Sequence, residues 1–517
     1  MPSPSRRRFS RQAVFGSALA FAAASCSLSA ATASLAAAPA RPPNFVFILA
    51  DDLGTPPVAA YGNSYYQTPN LDGLARDGLK FTDAYAACPV CSPTRAALMT
   101  GQYPARTRVT DFIPGNPFPE ARLTQPDWQK FLPLSATTIA EELAARGYAT
   151  ALFGKWHLAR AYLPPESVAE GPDRQGFAET FITHKPKKTD DPEKDAHGVE
   201  STTARALDFI ERHRARPFFL YLPHNSIHSP VMAPRALVEK YRARPGGDRP
   251  ENNPVIAAMM EILDSSVGRL LAKLDALGLR ENTVVIFYGD NGGLLGDAAQ
   301  TPFRGGKAQL HEGGIRVPLL IRWPGVIAPG RVSAMPVTTV DFFPTLLDLT
   351  GKPAALGSVI DGISLAAHLR GGAAPARDGI FWHYPHYHAS GDGGPAGAVR
   401  AGDWKLVEYY EYTLTRTGRA PELFNLRAIP PRPATLPPPN RPASPPCRRS
   451  SRPSASPRTR RCRCPIPTTI LRRRNPRAAT VNRCRGAYFS SHTFTLSIST
   501  SCPALPPARK TRPGFFT

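Results

Sequence analysis

The chain has 517 residues, enough for roughly two to four domains, and 42% of them are hydrophobic, so a large core can be buried. A formal net charge of +23 would ordinarily indicate a nucleic acid or a membrane surface as partner. The distribution of charge argues against both, because residues 428–517 hold 18 Lys and Arg and no Asp or Glu. Residues 1–427 therefore carry a net charge of only +5, and we expect no nucleic-acid partner.

Residues 1–40 are typical of an export signal and are set aside from the fold. An arginine-rich start is followed by the apolar run Ala13–Ala24 and by small-residue cleavage sites near residue 40. The segment Ser5–Phe9 resembles the twin-arginine export signal, and an ordinary secretory signal is the alternative. We expect a bacterial protein that is periplasmic or secreted. No later apolar run is long enough to span a bilayer, so we expect no stable membrane insertion.

Short apolar strands alternate with amphipathic helices over residues 41–355, which indicates a catalytic α/β domain with a large, mainly parallel sheet flanked by helices. Continuous apolar runs, as expected for strands covered on both faces, predict strands at Asn44–Ala50, Ala149–Phe153, Pro217–Leu222, Thr283–Tyr288 and Val317–Trp323. Apolar residues at helical spacing predict helices at Thr137–Arg146, Thr202–Arg214 and Val255–Leu277.

Polar residues cluster directly after four of these strands. Because the carboxyl ends of parallel strands form the ligand crevice of an open sheet, we expect these side chains to meet at one edge. They are Asp51 and Asp52 after the first strand, Lys155 and His157 after the second, His224 and His228 after the third, and Asp290 and Asn291 after the fourth.

Two of these strand ends suggest a metal site. Asp51 and Asp52 follow a buried strand, where paired negative charges repel unless something neutralises them. Asp290 and Asn291 add two more oxygens from another strand end. Calcium and magnesium prefer such ligands, so we expect a hard cation here. The alternative is a helix cap plus a turn, since Asp-Asn-Gly favours turns.

Cys91 precedes a predicted helix that includes Pro93, and proline suits a first turn because its missing N–H would be unpaired there anyway. Cys91 would then stand at the helix N-terminus, where the dipole and the free N–H groups favour an anion. Arg95 would follow one turn later on the same side. The alternatives are a buried structural thiol or, with Cys88, a Cys-x-x-Cys pair, although a four-ligand zinc site would need a second pair.

The run Cys91–Gly101 resembles the Cys-x-Pro-x-Arg signature of the type I sulfatases, the formylglycine-dependent arylsulfatase family of the alkaline phosphatase superfamily. Further segments match motifs of that family in order, between about residues 42 and 426. They are Asn44–Gly54, Thr68–Asp72, Gly154–Leu158, His228–Pro230, Asp290–Gly293, Arg304–Lys307 and Glu312–Arg316. The resemblance implies an alkaline phosphatase-like fold and the hydrolysis of sulfate esters.

The same resemblance implies that a separate enzyme, either formylglycine-generating or anaerobic sulfatase-maturing, oxidises Cys91 to formylglycine. Cys88 does not satisfy the pattern, since no x-Pro-x-Arg follows it. One hydroxyl of the hydrated aldehyde attacks the sulfur, and deprotonation of the other then eliminates sulfate, which splits one difficult step into two. The implied ligands of a calcium ion are Asp51, Asp52, Asp290, Asn291 and the modified Cys91.

Roles for the other matched side chains also follow from the resemblance. Arg95 holds the diol and shields the metal ligands, while Lys155 and Lys307 clamp sulfate oxygens where charge develops. His157 is the base that collapses the diol. His228, with Lys307, protonates the leaving alcohol, and general acid–base help of this kind contributes roughly 10²–10⁴-fold.

After residue 355, short strands joined by Gly-Asp turns predict a small antiparallel-sheet subdomain over residues 356–427. Its predicted strands are Ala398–Ala401, Trp404–Glu408 and Glu422–Leu426. The tract Phe381–His388 is dense in aromatic rings and imidazoles, which suits a sugar ring, and a metal-binding tract is the alternative. We therefore expect a sulfated glycan or another sulfated small molecule as substrate. The side chains expected to contact it are His224, His383, His386 and His388.

Residues 428–517 contain 18 Pro and no acidic residue, a composition that cannot bury enough apolar surface to fold. We interpret them as a disordered basic extension or, preferably, as an out-of-frame translation that begins near Arg427. Members of the family continue into further C-terminal structure at this point, so a defective sulfatase is one alternative. The others are a phosphonate monoester or phosphodiester hydrolase with the same nucleophile, and an exported basic binding protein.

Overall fold

The computed structural model describes residues 41–160, 168–353, 359–391 and 394–428. The predicted export signal at 1–40 and the predicted tail beyond residue 428 lie outside these ranges. The strands of the described residues are β1 (Asn44–Ala50), β2 (Leu79–Phe81), β3 (Ala84–Tyr85), β4 (Ala149–Gly154), β5 (Glu179–Ile182), β6 (Phe218–Pro223), β7 (Thr283–Gly289), β8 (Leu319–Arg322), β9 (Arg331–Ser333), β10 (Val337–Thr338), β11 (Ile380–Tyr384), β12 (Ala396–Ala401), β13 (Trp404–Tyr409) and β14 (Glu422–Asn425). The α-helices are α1 (Pro69–Arg76), α2 (Cys91–Thr100), α3 (Pro104–Thr107), α4 (Ile139–Ala145), α5 (Val199–Arg212), α6 (Arg235–Arg242), α7 (Pro254–Ala276), α8 (Glu312–Ile315), α9 (Phe342–Leu349), α10 (Ala366–Leu369) and α11 (Tyr410–Thr415).

One central sheet has the strand order β5-β4-β6-β1-β7-β8-β2-β9. Its first five strands run parallel to one another, whereas β8 runs antiparallel to both β7 and β2. The prediction of a mainly parallel sheet flanked by helices is confirmed. The five predicted strands correspond to β1, β4, β6, β7 and β8, while the sequence pattern did not predict the short strands β2, β5 and β9.

Side-chain alternation along the strands divides the core into two layers, because successive residues of a strand point to opposite faces of the sheet. Phe45, Phe47 and Leu49 of β1 pack on one face with residues of α2, α4 and α9. Val46 and Ile48 pack on the other face with residues of α1, α5 and α7. Since both faces are covered, the polar residues of these strands are confined to the strand ends.

The predicted helices are confirmed as α4, α5 and α7, with ends displaced by at most three residues. Thr138 and Glu141 form a capping box at the start of α4. Asn253 caps α7 by accepting hydrogen bonds from the N–H groups of Val255 and Ile256. Across the ranges that the structure describes, no helix combines the length and the apolarity needed to cross a membrane.

A second sheet, in the order β11-β12-β13-β14, is antiparallel throughout and confirms the predicted C-terminal subdomain. One of its faces packs on the body of the protein through Trp382, whose indole N–H donates to Ala86 O at 2.8 Å. On the same face the buried Lys405 ammonium lies 2.8 Å from a carboxylate oxygen of Glu312. Because a buried charge is costly unless it is paired, this ion pair fixes where the small sheet docks.

Candidate active site

Four neighbouring parallel strands deliver polar side chains to one edge of the central sheet. The strands β4, β6, β1 and β7 lie side by side in that order. The main chain continues the ladder just beyond them, since the N–H of Asp51 donates to Ser226 O at 2.8 Å and that of Asp290 donates to Ala50 O at 3.0 Å. The strand ends are therefore held close to one another, as the sequence pattern predicts.

Cys91 is the first residue of α2, a ten-residue helix in which every residue is buried. Its Sγ lies 3.3 Å from Asp51 Oδ1 and 3.8 Å from Asp52 Oδ1. The Lys307 ammonium approaches the same sulfur to 3.7 Å. The predicted position of the nucleophile thus lies against the cluster of strand-end side chains.

The thiol of Cys91 is not activated as a thiolate. Burial, and after it the carboxylate of Asp51, raise the pKa of Cys91 well above its ordinary value, although Lys155 and Lys307 oppose this. The expected preference for an anion at the start of α2 is therefore outweighed, since a helix dipole contributes at most about 2 kcal/mol. A protonated thiol is a poor nucleophile, so the unmodified side chain is unsuited to attack.

Two of the aspartates are each paired with a lysine. Lys155 Nζ lies 2.6 Å from Asp51 Oδ2, and Lys307 Nζ lies 2.7 Å from a carboxylate oxygen of Asp52. Burial alone would raise the pKa of both carboxyl groups, but the lysines and His228 hold the pKa of Asp52 below, and that of Asp51 well below, its ordinary value. Both side chains are consequently carboxylates at neutral pH.

Arg95 holds the third carboxylate. Its guanidinium donates from Nε at 3.1 Å and from Nη2 at 2.7 Å to Asp290 Oδ2, and from Nη1 at 3.0 Å to the carbonyl of Lys155. The side chain is almost wholly buried and lies one turn after Cys91, as predicted. Arg95 thus ties α2 to the ends of β4 and β7.

The oxygen atoms at this edge fit a hard divalent cation. One ligand atom from each of four side chains lies within 4.8 Å of the others: Asp51, Asp52, Cys91 and His228. Asn291 flanks this set; its amide donates to Asp52 Oδ1 at 2.8 Å, while its buried Oδ1 has no hydrogen-bond partner among the described residues. The amide of Asn291 therefore lies beside the carboxylates, and a rotation that exchanges its nitrogen and oxygen would offer the unpaired oxygen to a cation.

Asp290 also supports a cation at this edge of the sheet. Its Oδ1 accepts a hydrogen bond from the N–H of Asp52 at 3.0 Å. Burial, and after it the negative charge of Asp51, raise the pKa of Asp290 to about 7 in spite of Arg95. A cation beside these carboxylates would relieve the repulsion that disfavours the ionised form.

The two predicted acid–base histidines are neutral at neutral pH. Burial, and after it Lys155, lower the pKa of His157 well below its ordinary value. Its Nε2 lies 2.6 Å from the carbonyl of Ile113, so Nε2 carries the proton and Nδ1 is the basic nitrogen. Burial is also the main reason that the pKa of His228 falls to about 4. His228 Nε2 lies 3.2 Å from the Lys307 ammonium, which therefore donates to it.

The four predicted substrate-contacting histidines are not brought together. His224 and His386 are almost wholly buried, and His383 lies on the exposed face of β11. His388 is half-buried and close enough to Lys307 for their charges to interact. These positions support a direct substrate contact for His388 and do not support one for the other three.

A buried polar network, which the sequence did not reveal, links the small sheet to the segment that contains Thr110 and Asp111. Asp111 Oδ1 accepts a hydrogen bond from the hydroxyl of Tyr384 at 3.0 Å. His386 Nε2 lies 2.8 Å from Thr110 Oγ1, and its Nδ1 lies 3.9 Å from Asp111 Oδ2. These contacts join positions more than 270 residues apart, so no local pattern could have predicted them.

This network positions the segment that holds His157. Two residues after Asp111, the N–H of Ile113 donates to Ser92 Oγ at 3.1 Å, and its carbonyl accepts the His157 hydrogen bond. The small sheet therefore acts on the predicted base through the segment that starts at Thr110. His386 therefore belongs to this buried network and not to the surface that contacts the substrate.

The comparison with known proteins agrees with the geometry. The Sulfatase family model matches residues 43–352, and the model for the C-terminal part of N-sulphoglucosamine sulphohydrolase matches residues 306–431. The chain is 35% identical over 404 residues to human arylsulfatase A, covering 71% of this chain and 75% of the relative. It is 34% identical over 391 residues to N-acetylgalactosamine-6-sulfatase of Canis lupus familiaris, covering 69% of this chain and 71% of the relative.

Among solved structures, the crystal structure of Ps i-CgsB in complex with k-i-k-neocarrahexaose is similar with a TM-score of 0.62 and 26% identity, covering 75% of this chain and 87% of that one. The fold and the site define a hydrolase of the alkaline phosphatase superfamily. Within that class the chain belongs to the sulfatase family and is a type I sulfatase, which confirms the resemblance seen in the sequence.

Replacement of Asp111 by Asn tests the buried network. Burial is the main reason that the pKa of Asp111 rises from 3.8 to about 7, so folding favours the protonated form. Its contribution to stability is complete below the unfolded pKa and is lost as the pH rises through about 7. An asparagine keeps the Tyr384 contact and carries no charge. As the pH rises from 4 to 8, the unfolding free energy of Asp111→Asn should increase by roughly 2–4 kcal/mol relative to that of the natural protein. Urea unfolding across that pH range measures this difference.

The matched control is Asp127→Asn, which removes an exposed carboxylate from the same region of the chain. Its unfolding free energy should follow that of the natural protein at every pH. If the Asp111→Asn profile also runs parallel to that of the natural protein, Asp111 is ionised without cost and the network is not as described.

Proposed function

We propose that this sulfatase hydrolyses sulfate esters of carbohydrates through formylglycine made from Cys91, beside a bound calcium ion. The proposed calcium ligands are Asp51, Asp52, Asp290, Asn291 and the modified Cys91. The observation that carries the proposal is the position of Cys91, at the start of a buried helix and in contact with Asp51, Asp52 and Lys307, in a chain of the sulfatase family.

The properties of the cysteine support its modification. Formylglycine, as its hydrate, supplies a hydroxyl nucleophile and a second hydroxyl whose deprotonation allows sulfate to leave. The raised pKa of the Cys91 thiol makes the unmodified residue a poor substitute. Cys88 is also buried, but the x-Pro-x-Arg sequence follows Cys91 alone of the two.

The carboxylates support the cation. Calcium supplies a positive charge that polarises oxygen atoms of the nucleophile and of the sulfate group. The unpaired Oδ1 of Asn291 and the raised pKa of Asp290 are both accounted for by an ion among these ligands.

The remaining side chains of the site have distinct tasks. Lys155 and Lys307 supply ammonium groups beside Cys91 that can bind sulfate oxygens, where fixed charges stabilise a developing anion most effectively. His157 has a basic Nδ1 because its Nε2 donates to the Ile113 carbonyl. This nitrogen accepts the proton of the second hydroxyl of the hydrated formylglycine. His228 accepts a hydrogen bond at Nε2 from the Lys307 ammonium, and this hydrogen-bonded pair supplies the proton that the leaving alcohol takes up.

The substrate class is proposed from the rim of the site and from the relatives. His388 lies beside Lys307 and offers a ring to a sugar. One relative is named for N-acetylgalactosamine 6-sulfate, and one similar structure contains a neocarrahexaose. A sulfated glycan or another sulfated small molecule is accordingly the proposed substrate class, rather than a phosphonate monoester.

Export and maturation complete the proposal. We propose that residues 1–40 direct the chain out of a bacterial cell, to the periplasm or the medium, and that a formylglycine-generating or anaerobic sulfatase-maturing enzyme modifies Cys91. Amino-terminal sequencing of the natively produced protein should find a mature start near residue 40 in the periplasm or the medium. An intact Met1 in the cytoplasm would contradict export.

Mass spectrometry of the peptide that contains Cys91 tests the nucleophile. In the natively produced protein we expect a peptide lighter than the cysteine form, because an aldehyde replaces the thiol-bearing carbon. Cys91→Ala should reduce kcat for an aryl sulfate by at least about 10⁴-fold, as loss of a nucleophile does in other enzymes.

Cys88→Ala is the matched control, since it removes a buried cysteine three residues away and should retain both the modification and the activity. An unmodified Cys91 peptide from active protein would refute the nucleophile. Faster turnover of an aryl phosphonate monoester than of the aryl sulfate would favour the phosphonate hydrolase.

Calcium binding is tested by titration of chelator-stripped protein, with heat flow and thermal midpoint as readouts. A ligand at one hundred times its Kd stabilises a protein by about 2.7 kcal/mol, so calcium should raise the thermal midpoint of the natural chain. Asn291→Ala should weaken calcium binding by about tenfold or more. Asn282→Ala, just before the start of β7, should not change it. The absence of any calcium effect on the natural chain would refute the metal site.

A further inference from the structure

Lys185 reaches the same edge of the sheet from a fifth strand. β5 lies beside β4 and parallel to it, with Ile182 in register with Gly154. The N–H of Thr183 donates to Gly154 O at 2.9 Å, so the chain leaves β5 where Lys155 follows β4. Lys185 comes three residues after the end of β5, and the sequence pattern did not identify it because β5 is short and only partly buried.

The charge of Lys185 acts on the catalytic centre. Its ammonium interacts electrostatically with Lys155, Lys307, Asp51 and Cys91. Burial, and after it the two lysines, lower the pKa of Lys185 from its ordinary value. Lys185 is therefore close enough to the centre for its charge to interact with the charges there, and of these the two lysines act on it more strongly than Asp51 does.

Lys185 differs from the other two lysines in its partners and its exposure. Lys155 and Lys307 are buried and each contacts an aspartate. Lys185 is exposed, and no carboxylate of the described residues forms an ion pair with it. An exposed cation beside two others is disfavoured unless an anion joins them. An anionic group of a ligand can supply this partner.

We propose that Lys185 forms a second anion subsite, next to the position of the scissile sulfate, and that the substrate is a glycan with a second anionic group on the same or the neighbouring sugar. That group is a sulfate or a carboxylate, since an ammonium binds either. The inference rests on the proposed function of the Cys91 site. The scissile sulfate already has Lys155 and Lys307 beside Cys91, so the exposed Lys185 serves a group further out.

Binding of sulfated sugars to the full chain carrying Cys91→Ala tests the subsite without turnover. The three probes are a monosulfated N-acetylhexosamine, its disulfated form and a monosulfated uronic acid–hexosamine disaccharide, each titrated by calorimetry. At least one dianionic probe should bind more tightly than the monosulfated sugar. Adding Lys185→Met should weaken the binding of that probe about tenfold more than it weakens the binding of the monosulfated sugar. The probe with the larger loss identifies the second anion as sulfate or carboxylate.

Two further variants separate the charge of Lys185 from its loop. Lys185→Arg keeps the positive charge and should restore most of the preference for the dianionic probe. Lys188→Met removes an exposed lysine from the same loop and should leave all affinities unchanged. Equal losses for all probes in Lys185→Met, or no preference in the parent, would overturn the proposal.

The outcome is distinguishable from failure of the proposed function. Failure of the natural chain to hydrolyse any sulfate ester would remove the Cys91 chemistry, whereas the affinities measured with Cys91→Ala do not depend on it. If the natural chain turns over both mono- and dianionic substrates, Lys185→Met should raise KM for the dianionic one with little change in its kcat. A loss in kcat alone would place Lys185 in the chemical step and refute a subsite.

Discussion

Three carboxylates, from Asp51, Asp52 and Asp290, lie buried at one edge of the central sheet, and their mutual repulsion is the constraint on which the site depends. Side chains of this type are rarely buried unless paired. The protein supplies three cations, which are Lys155, Lys307 and Arg95. A divalent ion would turn this balance into a net positive charge, which is what a sulfate ester requires.

The same constraint determines the state of the cysteine. Cys91 stands at a helix N-terminus, which lowers a thiol pKa when the site is hydrated or electropositive. Here burial and the contact with Asp51 dominate, so the pKa rises. A thiol kept protonated by its neighbours would serve poorly as a nucleophile, whereas a neutral geminal diol needs no thiolate. The environment of Cys91 is thus suited to a modified form, which agrees with its proposed role as a precursor of formylglycine.

The sequence predicted the parts of the site that follow buried strands, because those strands are continuous apolar runs and the polar residues come at once after them. Asp51, Lys155 and Asp290 were found in this way. The tract Phe381–His388 misled the interpretation, because ring content does not reveal which face each residue occupies. His383 lies between Trp382 and Tyr384 on the opposite face of β11, and His386 follows two residues after the strand ends. His386 proved buried and His383 exposed on the outer face.

The sequence could not show the long-range contacts between the small sheet and the segment that contacts the proposed base. Tyr384 and His386 hold Asp111 and Thr110, and the segment that follows presents the Ile113 carbonyl to His157. The Ile113 carbonyl determines which nitrogen of His157 carries the proton, because a carbonyl can only accept. The segment that contains this carbonyl is linked through Thr110 and Asp111 to a sheet more than 200 residues further along the chain. The carboxylates follow strands of the central sheet and are held by Arg95, Lys155 and Lys307, whereas the acceptor of the proposed base lies in a segment that the small sheet also contacts.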